Sequence, residues 1–514
     1  MTAAGPAALR PGPAAYAEQA GLGPLRIERA PRAAAAHDYD LIVIGGGIHG
    51  VALCLEAIFR GYRPLLLEKG DFGGATSWSS LRIIHGGLRY LQSLDLPRFL
   101  QSVAERRWFL RHFPDLVRPL PCLMPLYGRG LRKPAVLRVA LALNDLLSPG
   151  RNTGVAEQVR LPGGRVLDAS ETAALFPHVD RESLRGGALW HDAVMLSPER
   201  VLIEMLRWAV AGGAFALNYV EAERLIAEHG EVRGVEARDR LSNDLLTFRS
   251  PRAVNAAGPW SGSFAARLDG RTPELFHPAL AFNLLLDRPA IAEVAVAVEP
   301  KRPGARMYFV LPWRGRMLAG TFHVPAATGA SAAEPSEEQV AEFLDDLHAA
   351  MPGLGLRRED VVQVYAGILP ARHQGDAEPA SREVIHDHGQ SGGPKGLWTV
   401  IGIKFTTSRA VAAATLDKFG ADGRGAPDAN APCPRPTPAL DVGDVPPGLE
   451  LSRDSLRDLA DREAVVQADD LLLRRMDSIQ SLLDPARAGA IARELFGASG
   501  SNAEQERAAE GSRD

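Results

Sequence analysis

Cysteine is scarce in this chain: Cys54, Cys122 and Cys433 are the three among 514 residues. Their wide spacing excludes a disulfide framework and any cysteine-based metal pattern, so no metal is expected, and it fits a reducing, cytoplasmic setting. Cys54 sits in an apolar helical stretch and reads as a small buried hydrophobe. Uninterrupted apolar runs of about 18 residues are also lacking, which excludes a spanning helix. The segment from Ala135 to Leu147 is apolar but short, and Arg138, Asn144 and Asp145 interrupt it; it reads as a core or interfacial helix. An excess of one charge is missing too: a net charge of −4 gives no electrostatic basis for nucleic-acid binding. Residues 1–36 lack the compact apolar stretch of a secretory signal. Rich in Ala and Pro with sparse arginines, they read as a disordered tail.

What is present begins at Tyr39. Tyr-Asp-Leu-Ile-Val-Ile-Gly-Gly-Gly-Ile-His-Gly runs to Gly50, and a second apolar run, Pro64 to Leu67, ends at Glu68. The first run reads as a buried parallel strand. Gly45, Gly47 and Gly50 fall on the G-x-G-x-x-G spacing of a strand-to-helix turn, the helix opening at Ile48. Gly45 permits the tight turn, Gly47 lets backbone approach a pyrophosphate, and Gly50 lets helix and strand pack closely. The helix N-terminus favours the phosphates, and Glu68 stands where a carboxylate receives ribose hydroxyls. An adenine dinucleotide is expected here; the glycine turn alone serves NAD and FAD equally.

Strands on both sides of an inserted mixed block predict an α/β chain (α+β overall). A discontinuous Rossmann-like domain would carry an antiparallel-sheet substrate domain and a short helical C-terminal region, with the reactive cleft between the two domains. The core spans 37–420. Its dinucleotide-binding parts are about 38–95, 190–265 and 370–420, and its substrate-binding parts about 96–189 and 266–369. Residues 421–449 read as a Pro/Gly/Asp-rich linker, 450–497 as helical and 498–514 as a disordered tail. Residues 151–167 read as loop. Met307 to Leu311 and Met317 to Val324 read as a hairpin.

Ala75-Thr-Ser-Trp-Ser-Ser-Leu-Arg-Ile-Ile-His-Gly-Gly-Leu-Arg-Tyr-Leu91, Asn255-Ala-Ala-Gly-Pro-Trp260 and Thr399-Val-Ile-Gly-Ile-Lys-Phe-Thr-Thr407 together resemble the FAD-dependent glycerol-3-phosphate dehydrogenases, within the D-amino-acid-oxidase-like flavoproteins. The resemblance covers about residues 38–415 and continues weakly into Val465–Arg475, where the family has a similar Asp-x-Leu-x-Arg-Arg pattern. It implies FAD, and oxidation of glycerol 3-phosphate with electrons passing to a quinone. That acceptor implies peripheral contact with a membrane, at the inner face for a cytoplasmic protein.

By this resemblance the hydroxyls of Thr76, Ser77 and Ser80 bond phosphate or ribitol oxygens. Gly86 and Gly87 let backbone approach the isoalloxazine, as does Gly258 from the second strand. Gly402, Lys404 and Thr406 flank its pyrimidine end, where a cation stabilises reduced flavin. His85, Arg89 and Lys404 are the expected catalytic groups. Arg89, Tyr90, Asn283 and Arg382 are expected to hold the substrate.

Three departures bear on substrate choice. Leu369 of Gly367-Ile-Leu-Pro370 replaces a family Arg, Asn283 aligns with a family His, and Phe322-His323 replaces a Thr-Asp pair. Arg372 is near enough in sequence to supply the missing guanidinium. Two further readings follow: an FAD enzyme acting on an amine or another hydroxy compound, and a flavin-binding protein without catalysis that serves as a scaffold.

Overall fold

The computed structural model describes residues 25–128, 130–269, 275, 277–300, 306–327, 334–419, 435, 453–476, 490 and 494–496. The expected linker 421–449, apart from residue 435, and the C-terminal tail 498–514 lie outside them.

The apolar run Leu41–Ile44 forms the central strand of a six-stranded sheet, fully buried on both faces. Pro64–Leu67 and Ala253–Asn255 flank it in parallel, with Ile42 opposite both Leu65 and Ala253. Phe215–Leu217 and Leu397–Ile401 extend the sheet in parallel, and Val384–Asp387 closes one edge antiparallel. Side chains alternate across this sheet. Leu41 and Val43 pack into the core of the helix Ile48–Phe59, which is shared with Pro198–Ala211 and Ser408–Leu416. Ile42 and Ile44 pack against a three-stranded meander, Val220–Glu228, Glu231–Asp239 and Leu245–Arg249. Pieces of chain centred near 45, 235 and 395 thus build one dinucleotide domain.

The second sheet has nine strands. Its path runs Val361–Ala371, His277–Leu286, Arg316–Pro325, Tyr308–Trp313, Ala295–Val298, Val117–Leu126, Gly186–Met195 and Ile83–Ile84, with Arg165–Leu167 beside Gly186–Met195. The expected hairpin is there, Tyr308–Trp313 paired to Arg316–Pro325. One face of the sheet packs on the capped helix Glu337–Ala350. The other receives Leu137 and Leu141 of the helix Pro134–Leu147, whose Val139 and Leu146 are 68% and 74% exposed.

The structure departs from the sequence reading in several places. Val117–Leu126 is a ten-residue strand despite Pro119, Pro121 and Pro125. The three prolines share one parity, so their missing N–H groups fall on one side of the strand, where the parallel neighbour pairs through only Cys122 and Leu123. Gly186–Met195, its antiparallel partner, belongs to the nine-stranded sheet, so the boundary expected at 190 falls inside a strand. Arg165–Leu167 is a short strand inside a stretch expected as loop.

The expected N-terminal tail 1–36 contains ordered chain. Ile27 is buried and Pro31–Ala34 is helical, because Ile27 N–H donates to Arg462 O at 2.9 Å and Tyr39 Oη donates to Ala34 O at 2.7 Å. In the C-terminal region, Arg453–Arg462 and Asp470–Arg475 are helical.

Candidate cofactor and substrate site

A cavity of about 1900 Å³ lies where the two sheets meet, well above the roughly 300–1,000 Å³ of common small-molecule sites. At one end stands the glycine turn. Gly45 has φ +108°, and a Cβ there would come within 2.5 Å of Ala256 O. A Cβ on Gly50 would lie 1.8 Å from Gly45 O, so the helix closes on its strand only with glycine. Gly47 is different: a Cβ would meet only Ser77 Oγ, at 3.1 Å, and the space in front of it is cavity.

Glu68 lines the same end. Its carboxylate accepts the Gly46 and Gly70 amides at 2.6 and 2.7 Å, one on each oxygen, leaving lone pairs on both for ribose hydroxyls. Burial pushes the Glu68 carboxyl above its usual pKa.

The hydroxyls expected to reach a ligand already have protein partners. Ser77 Oγ accepts Ile48 N–H at 3.0 Å, Thr76 Oγ1 donates to Ile368 O at 3.0 Å, and Ser80 Oγ accepts Arg82 N–H at 3.2 Å. All three residues line the cavity, as do Gly45, Gly47, Ile48, Gly258, Gly402 and Thr406. Gly50, Gly86 and Gly87 do not. A Cβ on Gly86 would strike the Arg106 guanidinium at 2.0 Å, and one on Gly87 would meet Ser102 Cβ at 2.9 Å. Packing within the protein therefore already requires glycine at both positions, and Gly87 also has φ +85°.

At the other end, His85, Arg89, Tyr90, Asn283 and Lys404 converge. Lys404 Nζ donates to Tyr90 Oη. Burial alone would raise the Tyr90 phenol, but the bond and charge of Lys404, with Arg89, outweigh it and lower the pKa. His85 Nδ1 lies 3.1 Å from Asp192 Oδ2. Asp192 is buried and also accepts Gly86 N–H and Arg106 Nη1, both at 2.7 Å, and Trp190 Nε1 at 3.2 Å. Burial opposes its charge, yet the His85 bond and charge, Arg106 and the Gly86 amide hold the carboxyl at about 2. A carboxylate so held fixes the ring of His85, whose other nitrogen is left for the cavity.

Asn283 lines the cavity, but its amide is already bonded at both ends. Nδ2 donates to Ser79 O at 2.9 Å and Oδ1 accepts Thr321 Oγ1 at 2.8 Å. It braces the wall. Arg382 and Arg372 are exposed and lie outside the cavity lining, although Ser381, next to Arg382, forms part of it. Arg306 lines it instead, beside His323. Burial, with the charges of Arg306 and Arg89, lowers the His323 pKa to about 4 and leaves it neutral at pH 7.

Sequence reasoning missed Asp192 and Arg306, since neither lies in a recognisable string. His323 was marked only as a departure. His49, at a free position of the glycine fingerprint, lines the cavity with Nε2 in the space a Gly402 Cβ would need.

The family model described as FAD dependent oxidoreductase matches residues 40–417. The chain belongs to this family of FAD-dependent oxidoreductases. Among curated relatives, a glycerol-3-phosphate dehydrogenase of Synechocystis is 31% identical, covering 83% of this chain and 78% of that protein. Glycerol-3-phosphate dehydrogenase 1 of Mycobacterium tuberculosis is 32% identical, over 74% of this chain and 72% of that one. Among solved structures, the glycerol-3-phosphate dehydrogenase of Bacillus halodurans complexed with FAD superposes with a TM-score of 0.61 at 23% identity, covering 93% of this chain and 90% of that one. The residues of this FAD-dependent oxidoreductase fit its cofactor. The Gly47 face opens on the cavity at a twelve-residue helix's N-terminus, Glu68 keeps acceptors free for ribose, and the cavity exceeds what a substrate alone needs.

Proposed function

We propose that the protein oxidises glycerol 3-phosphate, or a close hydroxyalkyl phosphate, to the corresponding ketone. The observation that carries this reading is the set of cations at the reactive end. Arg89, Arg306 and Lys404 reach one cavity wall from separate stretches of chain, beside His85 on its Asp192 support. A dianionic phosphate suits two guanidiniums, and Arg306 offsets the arginine that Leu369 replaces.

Bound FAD supplies the hydride acceptor. His85 takes the substrate hydroxyl proton at Nε2 while Asp192 holds the ring by Nδ1. Lys404 holds Tyr90 and places a positive charge where negative charge develops. Neutral His323 and braced Asn283 shape the wall without adding charge.

Anaerobic mixing of the purified flavoprotein with glycerol 3-phosphate, glycerol, hydroxy acids and amines tests the reading. The flavin should bleach with glycerol 3-phosphate and not with glycerol. No bleaching at saturating glycerol 3-phosphate, with bleaching by an amine, would move the assignment to that class.

For the electron acceptor we infer a quinone reached at a membrane surface. Among the described residues no helix is long and apolar enough to cross a membrane. The outer face of Pro134–Leu147 exposes Val136, Val139, Leu143 and Leu146, and the neighbouring chain exposes Leu94, Leu96 and Leu100. Such a face suits shallow peripheral insertion. Leu146→Glu should weaken flotation with lipid vesicles while leaving bleaching by substrate unchanged; undiminished flotation would remove this face from consideration.

A further inference from the structure

The Asp-x-Leu-x-Arg-Arg-like string near the C-terminus has no part in the chemistry above, yet it reaches the cofactor cavity. It lies beyond residues 40–417, where the family model matches. Asp470–Arg475 is helical and packs on Pro198–Ala211. Arg475, fully buried, donates to both oxygens of Asp71 at 2.7 and 2.9 Å, and Arg474 Nε donates to Asp71 Oδ2 at 2.7 Å. Asn218 Nδ2 adds a bond to Asp71 at 3.0 Å and another to Ala464 O at 2.7 Å. Asp470 in turn accepts Tyr219 Oη at 2.8 Å. Burial opposes charge on Asp71, and the two guanidiniums overcome it and hold the carboxyl at about 2.

Asp71 sits three residues after Glu68, on the loop whose Gly70 amide holds the Glu68 carboxylate and whose Gly73 N–H donates to Gly46 O at 3.0 Å. Fixing Asp71 therefore fixes the glycine turn and the ribose carboxylate together. Gln467, Asp469 and Arg474 also form cavity wall themselves, at the end where Glu68 stands.

We propose that the segment Arg453–Met476 is a clamp on the dinucleotide end of the FAD site, gripping Asp71 and closing the cavity with Gln467, Asp469 and Arg474. The pairing is reciprocal: a segment that tightens cofactor binding is itself tightened by the cofactor.

Two measurements on the full-length protein test it. The first is FAD affinity after removal and reconstitution, with the melting temperature of the apoprotein measured alongside. Arg474→Gln should weaken FAD binding about tenfold, Arg474→Lys should restore part of it, and the apoprotein melting temperature should change little. Unchanged affinity in Arg474→Gln would overturn the proposal. So would an affinity loss that merely follows a lowered apoprotein melting temperature and is not eased by lysine. The second uses the unaltered protein. FAD should slow tryptic release of the C-terminal segment by about the same tenfold factor. Equal release with and without FAD would overturn the clamp even if a variant failed to fold.

Discussion

The two ends of the cavity are built by opposite means. At the dinucleotide end the determinants are spaces: Gly45 and Gly50 lie where a Cβ would meet backbone oxygens at 2.5 and 1.8 Å. Backbone cannot yield as a flexible side chain can, so these positions admit one residue type. At the reactive end the determinants are side chains: His85 on Asp192, Tyr90 on Lys404, and Arg306 beside His323. They come from stretches far apart in the chain, and they act through the polar groups they present rather than through the space they leave. One end is shaped to admit a dinucleotide, and the other presents the side chains that meet what is oxidised.

The sharpest way to break this contrast is within the glycine turn. Gly50→Val should abolish folding of the dinucleotide domain, because the new side chain strikes Gly45 O. Gly47→Val should spare the apoprotein melting transition and yet abolish FAD retention, since the space it fills is cavity. Equal melting losses in both would mean that Gly47 is structural. Wild-type flavin content in Gly47→Val would displace the nucleotide from this turn.

At the reactive end the expected effects fall on rate. His85→Gln should lower kcat about 10²–10⁴-fold, the usual range for a positioned base. Asp192→Asn should lower it less and shift the pH–rate profile, because the ring loses its charged support. A profile unchanged in Asp192→Asn would reduce that residue to packing. Arg306→Gln should remove about 1.5–3 kcal/mol of phosphate binding, roughly one to two orders of magnitude in kcat/KM, with little change toward a substrate lacking phosphate. Equal loss on both substrates would deny it a phosphate.

The smallest effect concerns acid. Burial lowers the His49 pKa from 6.5 to about 4, and His112 and His323 share that direction. The folded chain prefers these rings neutral. Their contribution to stability is full above pH 6.5 and is lost as pH falls toward 4. The apoprotein of His49→Asn should show a shallower fall in melting temperature over that interval than the parent. An identical slope would mean that the ring is free to protonate in place.

The same contrast explains what could be read from sequence. The turn at Gly45–Gly50 and the strands beside it were legible because spacing and apolar runs are local signals. Helix caps are local in the same way: Asp168 with Glu171, and Ser197 accepting Arg200 N–H, lie within one turn. The strand Val117–Leu126 was hidden by prolines that only its particular neighbours tolerate. Asp192 and Arg306 belong to no string, and their importance exists only once 107 positions of chain separating Asp192 from His85 have folded back. At Gly86 and Gly87 the sequence could not show that Arg106 and Ser102 occupy the space a Cβ would need.

The meeting of Ile27 with Arg462 and of Asp71 with Arg475 has a consequence for how the molecule is made. During synthesis the first strand and its glycine turn emerge early, but their sheet neighbours at 253–255 and 397–401 and their fastening at 474–475 emerge hundreds of residues later. A nascent chain therefore carries an open nucleotide pocket with bare strand edges until residues 474–475 have emerged, and the complete cradle for the yellow prosthetic group exists only from that point on.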